Sequence, residues 1–120
     1  MSKAAPVRAL ALGLVVLAGS GLCAWAQSAR AAPSANVTIS IRDHAFDPLE
    51  VHAPANQPIT LVVKNLDQTP AEFESKPLKV EKIVVGGGEI TLRVRPLAPG
   101  RYPFFDDYQP DAKEGILVVE

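Results

Sequence analysis

The sequence contains very little sulfur and no recognisable catalytic motif. Its 120 residues include one cysteine, Cys23, and one methionine, Met1. A single cysteine cannot form a disulfide within the chain, so a folded domain must be stabilised by its hydrophobic core. No serine stands at a catalytic spacing from a histidine and an acid, and the glycines at 86–88 join two predicted strands as a turn. The sequence therefore offers neither an activated nucleophile nor a phosphate-binding loop.

The apolar run near the N-terminus predicts an export signal. Lys3 and Arg8 precede apolar residues 9–22, and Ala29-Arg30-Ala31 follows with the small residues that a signal peptidase recognises. We expect residues 1–31 to be a signal peptide that is cleaved after Ala31, with Ala26 as the alternative position. A retained membrane anchor is the other interpretation, but the run is shorter than the roughly 20 residues that span a bilayer.

The chain that follows the predicted signal has no excess of positive charge. Residues 1–31 carry Lys3, Arg8 and Arg30 but no acid, so nine Lys and Arg remain against 13 Asp and Glu, a formal net charge of about −4. Proteins that bind nucleic acid through its phosphates carry basic surfaces. We therefore expect no nucleic-acid partner.

Hydrophobic alternation predicts an all-β domain. Val37, Ile39 and Ile41 alternate with polar residues, as in a strand with one buried face. Residues 89–95 alternate in the same way, and further strands are predicted around 49–52, 79–85, the continuous β-branched 59–63, the aromatic 101–105 and the apolar 115–119, while 43–48 is predicted as a turn and 68–77 as an irregular connection. We expect a single-domain β-sandwich of about seven or eight strands over residues 37–120, preceded by a flexible tether at 32–36.

Several segments resemble a known family. These are Phe46-Asp47-Pro48, residues 58–65, the turn at 99–102 and the closing strand at 115–119, which together look like a cupredoxin. Glu72-Phe73-Glu74-Ser75 and the distant Phe104-Phe105 pair more narrowly resemble the EfeO-type and FtrB-type cupredoxin-like proteins of bacterial iron uptake. The resemblance implies a Greek-key cupredoxin-like sandwich in the periplasm. It also implies, as partners, a ferrous-iron permease complex of the inner membrane and other periplasmic iron-uptake components.

The chain departs from electron-transfer cupredoxins at the metal ligands. A blue-copper site needs two histidines and a cysteine thiolate, usually with a distant methionine. After the predicted signal there is no Cys or Met, and Glu72 stands in the segment where a copper cupredoxin offers its first histidine. The loop that would carry the other ligands has Asp106, Asp107, Gln109 and Asp111. A type-1 copper centre is therefore excluded by composition.

Carboxylates in these places predict a different metal. Oxygen ligands favour hard cations such as ferric iron, manganese, calcium or magnesium over Cu(I). If the fold brings the two segments together, Glu72 or Glu74 faces Asp106, Asp107 and Asp111, and iron is the expected cargo. The alternative interpretation is that the loop acids only solvate the surface and that the two glutamates keep a strand edge polar.

Two alternative functions remain open. His44 with a nearby carboxylate would bind copper(II), or the acidic end would dock a basic partner surface without any metal. Binding is expected rather than catalysis. Oxidation of ferrous iron would need a second metal or a partner as electron acceptor, because the sequence supplies no evident redox centre.

Overall fold

The computed structural model describes residues 2–4, 13 and 34–120. Most of the predicted signal peptide, with both candidate cleavage positions, lies outside the described residues, as do residues 32 and 33 of the predicted tether. Among the described residues, no helix has the length and apolar character needed to span a membrane.

Residues 34–120 form nine β-strands and no helix. In chain order the strands are β1 (Ala35–Arg42), β2 (Ala45–Asp47), β3 (Glu50–Ala53), β4 (Ile59–Asn65), β5 (Ala71–Ser75), β6 (Val80–Val84), β7 (Glu89–Val94), β8 (Gly100–Asp106) and β9 (Gly115–Val119).

The strands form two mixed sheets. One has the order β2-β1-β4-β7 and the other β3-β9-β8-β5-β6. Most neighbours are antiparallel, but β1 runs parallel to β4 and β3 runs parallel to β9. Buried residues alternate with more exposed ones along β1, β4, β5 and β9, so each strand contributes one side of its pleat to the core.

The all-β prediction is confirmed, but the strand count and two segments were predicted wrongly. The structure has nine strands because β2 lies within the predicted turn and β5 lies within the predicted irregular connection. In β5 the buried Ala71, Phe73 and Ser75 alternate with Glu72 and Glu74, which is a strand pattern only five residues long. The strand β1 also begins at position 35, inside the predicted tether.

Three phenylalanines from different strands meet in the core. The ring centroids of Phe46 and Phe104 are 4.9 Å apart, those of Phe73 and Phe104 are 5.2 Å apart, and Phe46 meets Phe73 edge to face at 6.1 Å. Phe73 and Phe104 are fully buried, whereas Phe105 is half-buried. A Cβ at Gly115 would lie 2.1 Å from the Phe104 ring, so glycine is required where β9 begins.

Candidate metal site

The outer face of β5 carries the candidate metal ligands. Glu72 and Glu74 are two residues apart on an extended strand, so both side chains project from the same face. Asp107, the first residue after β8, approaches them from the neighbouring strand. One ligand oxygen from each of the three carboxylates lies within 4.8 Å of the others, and this is the one such group of three found among the described residues.

Backbone contacts position Asp107 beside β5. Its amide donates a hydrogen bond of 3.0 Å to the Glu72 carbonyl oxygen. The preceding residue, Asp106, is buried, and its Oδ1 accepts hydrogen bonds of 3.0 Å from the amides of Glu72 and Tyr108. Asp106 therefore links the β8–β9 loop, through Tyr108, to β5, through Glu72. Glu72 is itself a member of the carboxylate cluster.

A fourth acid, Glu81, lies beside the three carboxylates of the cluster. Glu81 lies directly opposite Glu74 in the register of β5 and β6. A hydrogen bond with the Glu81 carboxyl, together with partial removal from water, raises the pKa of Glu72. The negative charge of Asp107 raises this pKa further, whereas a hydrogen bond from Tyr108 lowers it. Two carboxyl groups can share a hydrogen bond only if one is protonated. Four acids therefore compete for compensation by a proton or a cation.

Tyr108 completes the site at its edge. Partial removal of its hydroxyl from water and the negative charge of Glu72 raise the pKa of the phenol, so it remains a neutral hydrogen-bond donor. Neither Glu81 nor Tyr108 was among the predicted ligands. Pairing the alternating residues of β5 with those of β6 in a hairpin would have predicted Glu81, but the segment containing β5 was interpreted as irregular.

Two predicted ligands lie elsewhere. His44 and Asp111 line a separate surface cavity of about 430 Å³ between the β1–β2 turn and the loop that joins β8 to β9. The cavity is also lined by Asp43, Phe46, Gln109 and Lys113. The predicted ligand set thus divides into three: Glu72, Glu74 and Asp107 come together, His44 and Asp111 line the second location, and Asp106 is buried as an acceptor of backbone amides.

The donor set at the cluster does not fit a blue-copper ion. Its ligand atoms are carboxylate oxygens, with a phenol nearby, and the residues from 34 to 120 include no cysteine or methionine. Oxygen-only sites suit hard cations such as iron, manganese and magnesium.

The domain is a two-sheet sandwich in which β1 runs parallel to β4 and β3 runs parallel to β9. It carries a candidate metal site beside the β8–β9 loop. These features define a cupredoxin-like architecture. The model of the cupredoxin-like domain family matches residues 13–119. The chain belongs to this family.

Known proteins similar to this chain share the fold at low sequence identity. The purple cupredoxin from Nitrosopumilus maritimus is 17% identical, with a TM-score of 0.54 over 70% of this chain and 99% of that protein. Auracyanin A, a blue copper protein from Chloroflexus aurantiacus, is 16% identical, with a TM-score of 0.61 over 73% of this chain and 100% of that protein. The metal-binding domain of a Cu(I)-exporting P-type ATPase from Streptococcus pneumoniae is 14% identical, with a TM-score of 0.60 over 71% of this chain and 84% of that domain.

A nearer relative in sequence comes from Rickettsia prowazekii. This protein, described as uncharacterized, is 41% identical over 83 residues. The match spans 69% of this chain and 66% of the relative's length.

Proposed function

We propose that this chain is a periplasmic metal-binding accessory protein of iron uptake, which binds iron through carboxylates and presents it to a membrane permease. The observation that carries the proposal is the meeting of Glu72, Glu74 and Asp107, whose ligand oxygens lie within 4.8 Å of one another. This spacing allows one cation to contact all three after small side-chain rotations.

Electrostatics supports a cation at the cluster. The carboxyl of Glu72 has a raised pKa chiefly because Glu81 is its hydrogen-bond neighbour, and no cationic side chain is among the causes of the shift. A metal ion would compensate several carboxylates at once. Carboxylate ligands favour iron or manganese over the copper bound by several proteins of similar fold.

The permease partner and the periplasmic location belong to the same proposal. They are supported by the apolar N-terminal run of the sequence and by the resemblance of residues 72–75 and 104–105 to iron-uptake proteins. Their test is whether the chain appears in the periplasmic fraction and copurifies with a permease when expressed in its own cells.

The test of metal binding is calorimetric titration of the full-length chain with Fe(II) under anaerobic conditions, and separately with Mn(II) and Cu(II). The test variant combines Glu72→Gln, Glu74→Gln and Asp107→Asn. A control variant combines Glu50→Gln, Glu89→Gln and Glu114→Gln, which remove the same formal charge at exposed positions outside the cluster.

We expect iron binding to fall at least about tenfold in the test variant and to be unchanged in the control, because only the former loses ligands. Equal losses in both variants would show that general negative charge, rather than a site, attracts the metal. No iron binding by the parent chain would overturn the proposal.

A metal-free docking module is the second candidate, favoured by apolar side chains beside the cluster. Ile83 is 54% exposed and lies opposite Glu72 in the β5–β6 register, and Val85 is 64% exposed. An apolar patch next to uncompensated acids suits a basic partner surface with an apolar centre. Partner binding that weakens with salt and survives chelation would support docking, whereas binding lost on chelation would support metal delivery.

A further inference from the structure

The two sheets of the sandwich present different outer faces. The four-stranded sheet follows the usual pattern, in which the side chains that point away from the core are polar. Along its central strands β1 and β4, Val62 is the one large apolar side chain at an outward position in the described part of the chain. The other outward residues of these strands are Asn36, Thr38, Ser40, Arg42, Thr60 and Lys64.

Four apolar side chains lie together on the outer face of the five-stranded sheet. Pro103 and Phe105 occupy outward positions of β8, and Ile116 and Val118 occupy outward positions of β9. The register places Pro103 directly opposite Ile116, so the four form one group, called here the sheet patch. The core takes the alternate positions of both strands. The sheet patch is therefore apolar surface that the packing of the domain does not require.

Acids border the sheet patch on both sides. Glu50 of β3 lies opposite Ile116, and Glu74 of β5 lies opposite Phe105. Among the residues from 34 to 120, the outward strand positions of this sheet carry four glutamates against one arginine, Arg101. The arginine Nη2 lies 3.7 Å from Oε2 of Glu50, so it is already beside an acid. The whole face is thus apolar at its centre and acidic at its margins.

This combination of charge and apolar surface selects the kind of partner. Contiguous apolar surface with a polar rim is typical of interaction sites. Nucleic acids and anionic membranes would be repelled by the glutamates. A second copy that used the same face would place acids against acids, and the four-stranded face of a second copy has no apolar group to match the sheet patch. A different protein with basic residues satisfies both features.

We propose that the outer face of the five-stranded sheet is a docking surface for another protein, which presents an apolar centre surrounded by lysine and arginine side chains. The sheet patch supplies the apolar centre of the interface, and the glutamates supply its polar rim. Opposite charges at the rim speed association and exclude acidic partners. The inference extends the docking alternative from the edge beside β6 to the centre of the sheet, and it does not depend on iron binding.

The experiment measures the binding of three synthetic peptides to the full-length chain, labelled with nitrogen-15 for NMR, in EDTA so that metal does not contribute. The first peptide is an amphipathic helix with leucines on one face and lysines around them. The second has the same composition in scrambled order, so that its leucines share no face. The third replaces every leucine by serine and keeps the lysines.

Two matched pairs of variants locate the binding surface. Val118→Thr removes an apolar side chain from the sheet patch, and Val62→Thr makes the same replacement on the outer face of the other sheet. Glu50→Lys reverses a charge beside the sheet patch, and Glu89→Lys reverses one on the four-stranded sheet at the same net charge. Ile83→Thr tests the edge strand β6 separately.

We expect the amphipathic peptide to shift the amide signals of β8 and β9 and to bind more tightly than the other two peptides. Its affinity should fall at least about fourfold in Val118→Thr, as expected for the loss of about one buried apolar carbon, and should stay unchanged in Val62→Thr. Glu50→Lys should weaken binding more than Glu89→Lys, and added salt should weaken binding to the parent.

Three results would overturn the proposal. Equal binding of all three peptides would show that negative charge alone attracts them. Loss of binding in Ile83→Thr with full binding in Val118→Thr would confine docking to the edge beside the carboxylate cluster. A parent chain that forms a dimer by light scattering, and becomes a monomer in Val118→Thr but not in Val62→Thr, would assign the face to a second copy of the chain.

Discussion

Carboxylates in two regions of this molecule have opposite surroundings. At the β1–β2 turn, Asp67 accepts two backbone hydrogen bonds, and the amide of His44 is the main cause that lowers the pKa of its carboxyl. At the β5 cluster, Glu72 meets a second carboxyl, and Glu81 is the main cause that raises its pKa. The same chemical group accepts two backbone amides in one place and lies beside other acids in the other.

The difference separates structural acids from candidate ligands. A carboxylate whose oxygens accept backbone amides stabilises the fold in its charged form, whereas carboxylates that lie beside one another repel until a proton or a cation binds. Asp106 belongs to the first class although it is adjacent to Asp107, because its Oδ1 accepts the amides of Glu72 and Tyr108. Substitutions that remove a structural acid, or a candidate ligand, but not both, test this distinction.

The largest effect is expected at Asp106. Replacement by alanine leaves the amides of Glu72 and Tyr108 without their acceptor in a partly buried location, which should lower the free energy of unfolding by about 3 kcal/mol. Urea denaturation measures this. Asp111→Ala, at an exposed position of the same loop, is the control and should change the free energy by less than about 0.5 kcal/mol. Equal effects of the two substitutions would contradict the structural role of Asp106.

A smaller loss is expected at Asp67. Its two hydrogen bonds hold amides at an exposed turn, where water can replace the acceptor, so Asp67→Ala should cost about 1 kcal/mol. Thermal unfolding followed by circular dichroism measures the loss. Glu114→Ala, which removes an exposed acid from a loop, serves for comparison and should leave the melting temperature nearly unchanged. A melting temperature of Asp67→Ala equal to that of the parent would show that the turn does not depend on this carboxylate.

At the β5 cluster, removal of an acid should raise the stability of the metal-free chain instead of lowering it. Glu81→Gln removes one of two acids that face each other across β5 and β6, so the metal-free chain should become more stable, with a melting temperature higher by about 2 °C. The same variant should bind Fe(II) more weakly if Glu81 helps to hold the ion. A lower melting temperature in the absence of metal would show that the acids are already compensated.

The fold was largely predictable because its signals are local. Alternating or continuous apolar stretches bounded by turn-forming residues predicted seven of the nine strands, since one face of each sheet must be buried. The strands β2 and β5 were missed because they are three and five residues long and lie among turn-forming residues. For such short strands, pairing with neighbours decides the structure, and one sequence does not reveal pairing.

The site was predictable only in part because its geometry depends on register. The residue types suggested acids on β5 facing acids after β8, and the structure brings Glu72, Glu74 and Asp107 together. The burial of Asp106, the position of Glu81 opposite Glu74 and the location of Asp111 in another cavity follow from strand pairing and from the path of one loop. Adjacent residues can therefore have different roles, as Asp106 accepts backbone amides and Asp107 belongs to the carboxylate cluster.

The smallest effects are expected in the pH dependence, where the two regions should again differ in sign. Because the pKa of Glu72 is raised, the folded chain binds more protons there than the unfolded chain at pH values just above the usual glutamate range, and stability falls as pH rises through this window. Because the pKa of Asp67 is lowered, its contribution is present above the usual aspartate range and is lost as pH falls toward the lowered pKa.

Urea unfolding of the metal-free parent, Glu72→Gln and Asp67→Asn over a pH series separates the two contributions. The gain in stability of Glu72→Gln over the parent should grow as pH rises above the usual glutamate range, and it should vanish in acid, where the parent carboxyl is protonated. The deficit of Asp67→Asn should be constant near neutral pH and shrink only below the usual aspartate range. Both groups retain contact with water, so the differences should be small. A gain for Glu72→Gln that does not change with pH would mean that its origin is packing, and the electrostatic contrast between the two regions would then fail at the cluster.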